Sequence, residues 1–339
     1  MGTFCQEASD MIQRTPLSVL LTVDTEMWPL VASWPRWPLP AEKTDFALDY
    51  DIYVRGMTRD GEFGLSYLLR VLGEHGLKAC FFVESLHALA IGSDLLRQTV
   101  DDILAAGQEA QLHIHTEWLG DCDQPGLPKQ YGPAIAGYSL SEQEAILRAG
   151  VKAFSAVGAP APVAYRAGSY AASLATLGIL PQLGITIDSS HNACHAEWGC
   201  TLAKEASARD VVELAGVLEL PVTCFQDYPG HVRHLQVCAV SFAEMRAMLE
   251  QAWQSGWQAV VIVLHSSEFS RKQDLSSTSG LPSVDHRLAK RFERLCDFLA
   301  RDTERFRTGW INEQVSVAPS GQVPPLRSRL HRTVLRHLA

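Results

Sequence analysis

Apolar residues fall along this chain in two alternating rhythms. Short unbroken runs, at 18–23 (S-V-L-L-T-V), 79–83 (A-C-F-F-V), the segment entering Leu112, 163–166 (V-A-Y-R), 185–188 (I-T-I-D) and 259–265 (A-V-V-I-V-L-H), read as buried strands. Between them apolar residues recur every three or four positions, which predicts helices over 62–74, 94–106, 140–157, 172–182, 242–255 and 284–301. Capping-box spacing, Ser141 with Glu144 and Ser241 with Glu244, marks the start of two of them. Such alternation specifies an α/β protein whose parallel sheet, closed or open, is covered by helices.

The interruptions are long and follow strand ends. Residues 27–60 carry Trp28, Trp34 and Trp37 among four prolines; 119–138 is rich in Gly, Pro and Asp; 189–232 is irregular, with a hairpin expected around V-L-E-L-P-V-T-C-F; 266–283 is rich in Ser. Loops of this length inside a compact domain usually carry function, and the strand C-terminal end is where parallel α/β folds bind ligands. No internal repeat or interdomain linker breaks the series, so residues 1–320 are expected to form one domain. The remainder, 321–339, is a basic tail with four arginines and no acid. Its apolar residues at 326, 330, 334, 335 and 338 have helical spacing. That predicts an amphipathic helix, lying on a membrane surface or a partner, or else packed on the domain.

Composition narrows the function. The net charge of -9 excludes nucleic acid as the main partner, because phosphate backbones need a basic surface. No apolar run reaches transmembrane length, and the first residues lack the basic start and apolar core of a secretory signal. Eight cysteines without a C-x-x-C pair then read as free thiols in a reducing cytoplasm. Cys194 and Cys200 flank His195, but their spacing matches no common zinc pattern.

Candidate chemistry gathers at the strand ends. Asp24 and Glu26 in T-V-D-T-E-M-W point to one side of an extended chain. In Q-L-H-I-H-T-E-W, His113 and His115 would share a strand face, whereas His113 and Glu117 would stack on a helix. Arg166 and Tyr170 lie in Y-R-A-G-S-Y, and His265 closes an intensely apolar strand in L-H-S-S-E-F. Asp188, in I-D-S-S-H-N, is a further, weaker candidate, with a structural ion pair to Arg166 as the alternative reading. Singly, each has a structural explanation as a cap, a core histidine or an ion-pair partner. Together they put carboxylate, imidazole and guanidinium at the same end of several apolar strands, where burial is costly unless they serve one another. Those groups suffice to bind a divalent metal, activate water and stabilise an oxyanion.

In their order these motifs resemble the polysaccharide deacetylases, or NodB-homology carbohydrate esterases. T-V-D-T-E is similar to that family's T-F-D-D-G, G-Q-E-A-Q-L-H-I-H-T-E to G-H-E-I-G-N-H-x-x-x-H, Y-R-A-G-S-Y to R-P-P-Y, I-T-I-D to a short Asp motif and V-L-H to L-x-H. The likeness spans residues 18 to about 310, and is nearer to a divergent branch found with surface-polysaccharide biosynthesis genes. It implies a distorted (β/α) barrel of about seven parallel strands, with long loops at their C-terminal ends. It also implies divalent-metal-dependent removal of N-acetyl groups from sugars, with zinc the expected ion. By resemblance, Asp24 is the general base, His265 the general acid, Arg166 the group orienting the base, and His113 a metal ligand. Glu117 stands where a second histidine belongs and Glu26 one step beyond a missing aspartate; both can replace them chemically. His115 either ligates or orients substrate. Trp28, Trp118 and Tyr170 are expected to line the substrate, with Trp34 or Trp37 at the mouth. The expected substrate is an N-acylated sugar or glycan precursor. The competing readings are a deformylase or other amidohydrolase and a metal-free glycan-binding pseudoenzyme.

Overall fold

The computed structural model describes residues 15–31, 34, 39, 44–131, 134–271, 281–313, 323–329, 331–333 and 336. Its strands are β1 (Leu17–Thr25), β2 (Met57–Thr58), β3 (Gly61–Glu62), β4 (Ala79–Glu84), β5 (Glu109–Ile114), β6 (Ala164–Ala167), β7 (Ile187–Asp188), β8 (Val212–Leu214), β9 (Val217–Glu219), β10 (Cys224–Tyr228), β11 (His231–His234), β12 (Ala259–His265), β13 (Phe306–Arg307) and β14 (Leu326–Arg327). The main sheet runs β12-β1-β4-β5-β6-β7-β9-β8, with β13 also beside β1. Every pairing in it is parallel except β8 with β9, which gives a curled run of seven parallel strands from β12 to β9. Irregular chain spans the gap: Thr223 N–H donates to Val261 O (3.3 Å), Val263 N–H to Leu235 O (2.9 Å) and Val237 N–H to Val263 O (3.1 Å). This is the distorted barrel that the motif order implies.

Period-two alternation explains why the sheet is buried on both faces. On β1, Leu17, Val19, Leu21 and Val23 enter the large core beneath the helices, whereas Leu20 joins Phe82, Ala164, Ile187 and Val261 in a smaller interior cluster. Thr22 and Asp24 continue that interior face. Register brings polar ends together: Asp24 lies opposite His265 on β12, and His113 stands between Glu84 on β4 and Arg166 on β6.

The helices Leu65–Glu74, Asp94–Ala105, Leu140–Ala156, Phe242–Gln254 and His286–Arg301 match the helical spacing. The expected helix over 172–182 is instead a short helix, Leu174–Leu177, ended at Gly178, and a 3-10 turn, Leu180–Leu183, since Pro181 lacks the N–H that would extend the first onto the Leu177 carbonyl. Ser241 and Glu244 form their capping box. At the other start the box is Ser139 with Glu142, two residues before Ser141 and Glu144; Glu144 instead binds Arg148 on the surface. The expected hairpin divides around Pro221 into two. β8–β9 turns at Ala215-Gly216, both at positive φ (49° and 88°), and β10–β11 follows.

No described helix is long and apolar enough to cross a membrane. The tail departs from the expected helix at its start, since Leu326 is buried in β14 against Phe225 of β10. Further on, Thr333 Oγ1 donates to Asp227 O (3.0 Å), and Arg336 bridges Glu244 (2.7 Å) and Asp227 (2.9 Å). Parallel pairing with β10 thus holds Leu326 in a strand, and Ser328 N–H donates to Gln226 O (2.8 Å). Residues 330, 334, 335 and 338 of the proposed apolar face, and Trp37, lie outside the described residues.

Candidate active site

β5 settles how the two histidines are presented. It is a strand to Ile114 and stays extended at His115 (φ -106°, ψ 111°) before turning into a 3-10 helix, Thr116–Gly120. His113 and His115 therefore share a face, and Glu26, just past β1, meets them both. Glu26 Oε2 lies 3.4 Å from His113 Nε2 and 2.7 Å from His115 Nε2. Ligand atoms from Glu26, His113 and His115 all lie within 4.8 Å of one another.

Both rings are held from behind. His113 Nδ1 contacts the Arg166 carbonyl (2.7 Å) and His115 Nδ1 the Glu117 carboxylate (3.2 Å). Carbonyl and carboxylate only accept, so each Nδ1 carries its hydrogen and each Nε2 faces Glu26. Metal-binding histidines are prepared in this way. Burial alone would raise the Glu26 carboxyl, but the His115 charge and hydrogen bonds from His113 and His115 hold it well below its ordinary range. Burial disfavours charge on His115 as well; Glu26 and Glu117 outweigh it and hold that imidazole well above its usual pKa. A cation here would take over the part of that shared proton. Two imidazoles and a carboxylate are an ordinary zinc donor set, and these three residues fit one ion.

Glu117 lies outside this cluster. The 3-10 turn carries it to the far ring nitrogen of His115, so it supports a ring where a ligand was expected. Gly168 makes room on the other side, for a Cβ there would sit 2.7 Å from Cγ and Nδ1 of His115.

Arg166, 0% exposed, anchors the neighbouring carboxylate. Its guanidinium donates to Asp24 Oδ1 (2.6 Å), Thr22 Oγ1 (3.0 Å), Ser189 O (3.0 Å) and Ser189 Oγ (2.9 Å), and lies 4.3 Å from the Phe82 ring centre. Asp188 is not its ion-pair partner. That carboxylate accepts from Ser190 N–H and Oγ–H (both 2.9 Å) and lies across the strand pair from Glu219. Burial, reinforced by Asp188, pushes the Glu219 carboxyl well above its usual pKa.

His265 faces Asp24 (Nε2 to Oδ2, 3.9 Å) and Glu26 (4.0 Å), while its Nδ1 lies 3.4 Å from Glu268. Burial opposes its charge, but Glu268, Glu26 and Asp24 push its pKa up to about 9. Gln236 touches both His265 Nδ1 (3.2 Å) and Glu268. Sequence reasoning gave Glu268 and Gln236 no role. The i,i+3 spacing of His265 and Glu268 was the available signal, whereas Gln236 comes from a distant loop.

These groups line an inner cavity of about 280 Å³ with Trp28, Ser169, Tyr170 and His195. Ser169 and Tyr170 both have left-handed φ (53° and 58°), a strained pair next to the site. Tyr170 is 7% exposed and its hydroxyl has no hydrogen-bond partner among the described residues. Trp28 stands edge-on to His115 (4.5 Å between ring centres), with Trp34 behind it at 5.5 Å. Trp118 does not reach the substrate space. It is 0% exposed, packed under Trp34 at 5.1 Å, because the 3-10 turn swings it into the core.

The chain matches no protein-family model and no curated protein. Among solved structures it is similar to a Mycobacterium smegmatis protein provisionally assigned as a polysaccharide deacetylase. The TM-score is 0.52 at 16% identity, over 91% of this chain and 96% of that one. A family 4 carbohydrate esterase from Streptomyces lividans in complex with acetate scores 0.41 at 15% identity, over 91% and 100% of the two chains. The 4-alpha-glucanotransferase of Thermococcus litoralis scores 0.48 at 8% identity, over 90% and 41%. The first is a likeness of fold; the other two are too remote to carry an argument.

Proposed function

We propose that the protein is a metal-dependent hydrolase that removes an N-acyl group, acetyl foremost, from a sugar or glycan precursor in the cytoplasm. On this reading it would belong with the polysaccharide deacetylases, in the divergent branch tied to surface-polysaccharide synthesis. One observation carries the reading: two imidazoles, each fixed through Nδ1, aim Nε2 at the Glu26 carboxylate beside an Asp24–Arg166 pair. The provisional assignment of the Mycobacterium smegmatis protein points the same way. All seven described cysteines are free thiols, in keeping with a reducing compartment.

Glu26, His113 and His115 would hold the ion, zinc by donor chemistry. Such an ion supplies Lewis-acid polarisation of the acyl carbonyl and acidifies water. Asp24 takes the proton of the attacking water, oriented for it by Arg166. His265, kept protonated by Glu268, gives its proton to the departing sugar amine. Tyr170 offers its buried hydroxyl to the substrate, and Trp28 offers an aromatic face to a sugar ring.

The test is acyl release from a panel of N-acetyl and N-formyl sugars by zinc-loaded protein. Acetate and free amine should appear in equal amounts, and Asp24→Asn should lower turnover at least about 100-fold. Glycan binding without release of either acyl group from any panel member would favour a binding protein.

A further inference from the structure

A wider groove opens from the inner cavity and shares Glu26, Trp28, Gln236 and His265 with it. It has a volume of about 880 Å³ and is bordered at its outer end by Arg271, Arg287 and Arg291. Three guanidiniums along one groove are notable in a chain of net charge -9. Arg287 and Arg291 lie one turn apart on the helix His286–Arg301, whose first turn holds no acid, and like charges at that spacing repel. The Arg291 guanidinium donates to the carbonyls of Val237 (2.9 Å) and Cys238 (3.3 Å), which fix it without neutralising it. Arg271 makes no ion pair among the described residues. The two carboxylates bordering the outer groove are engaged elsewhere. Asp285 caps the helix through the amides of Arg287 and Leu288, and Glu268 holds His265.

We propose, resting on the hydrolase reading, that the substrate is a phosphorylated N-acylated sugar whose phosphate ester lies among Arg271, Arg287 and Arg291 while its acyl group reaches the inner cavity. Several guanidiniums match a group bearing two negative charges and several acceptor oxygens better than a single carboxylate. A sugar monophosphate and a diphosphate ester would present the same chemistry to this groove.

Calorimetric binding to the Asp24→Asn protein tests this without turnover. The probes are N-acetylglucosamine, its 1-phosphate, its nucleoside diphosphate ester, and an N-acetylated hexuronic acid. Both phosphate probes should bind at least about tenfold more tightly than the neutral sugar, and the advantage should fall with rising salt. Arg271→Gln and Arg287→Gln, which leave the Arg291 anchor intact, should each reduce that advantage about tenfold. Tighter binding of the diphosphate ester than of the monophosphate assigns the groove to diphosphate-linked sugars; equal binding assigns it to one phosphate. Neutral sugar bound as tightly as both phosphates, a preference for the uronic acid, a preference unchanged by the arginine substitutions, or no binding of the phosphates at millimolar concentration would each overturn the proposal. Phosphate-selective binding without acyl release by the wild type would leave the groove assigned and overturn the hydrolase reading instead.

Discussion

The Asp24–Arg166 pair can be tested as a unit. Arg166→Met keeps much of the side-chain volume but removes four hydrogen bonds and the counter-charge of a carboxylate that is 3% exposed. Breaking a buried pair from one side costs about 3–5 kcal/mol, chiefly because a charge is left without compensation. Removing that charge as well should recover much of the loss. Asp24→Asn in the Arg166→Met background is therefore expected to be more stable than Arg166→Met alone by roughly 2 kcal/mol. Urea unfolding of metal-free protein, followed by tryptophan fluorescence, gives all four corners of the cycle. A loss below about 1 kcal/mol for Arg166→Met, or strictly additive effects, would refute the reasoning that each group is buried at the other's expense.

Glu117 touches His115 from behind, so Glu117→Ala should weaken zinc about 10- to 100-fold, measured by competition with a chelating dye. Unchanged affinity would remove it from the support. Gly168→Ala forces a methyl against the His115 ring and should displace it. The expected cost is about 1–3 kcal/mol of stability with weakened metal binding, and full retention of both would contradict the close approach. Arg336→Ala should free the chain end, seen as faster carboxypeptidase digestion at neutral pH. The Asp227 carboxyl is lowered to about 2, hydrogen bonds from Arg233, His231 and Arg336 outweighing burial. A folded-state pKa below the unfolded value near 3.9 stabilises fully above that value and is lost as pH falls toward the folded one. The stability gap between wild type and Arg336→Ala should therefore be constant from pH 7 to about 5 and shrink between about 4 and 2. A gap that grows on acidification would refute the assignment.

Much of this was legible in the sequence because burial on both faces leaves continuous apolar runs, and polar residues at their ends stand out. β1, β4, β5 and β12 were visible in that way, with Asp24, His113 and His265 marking one rim. The failures have local causes. Whether His113 partners residue 115 or 117 depends on where β5 stops, and three residues cannot reveal a 3-10 turn. The same turn sent Trp118 inward, although a tryptophan beside a histidine pair reads as a wall of the site. Ser139 and Ser141 offer the same capping spacing; the helix begins after the first and takes the second into its first turn, a choice the spacing alone does not make. Gln236 and the arginine-lined groove depend on chain paths that cross the barrel's irregular seam, which no periodicity encodes.

The most direct test of the central claim is elemental analysis of wild type and Glu26→Ala after dialysis against zinc. One equivalent of zinc in the wild type, absent from folded Glu26→Ala, is the predicted result. No zinc in either protein, or an equivalent retained without Glu26, would contradict the site built from Glu26, His113 and His115.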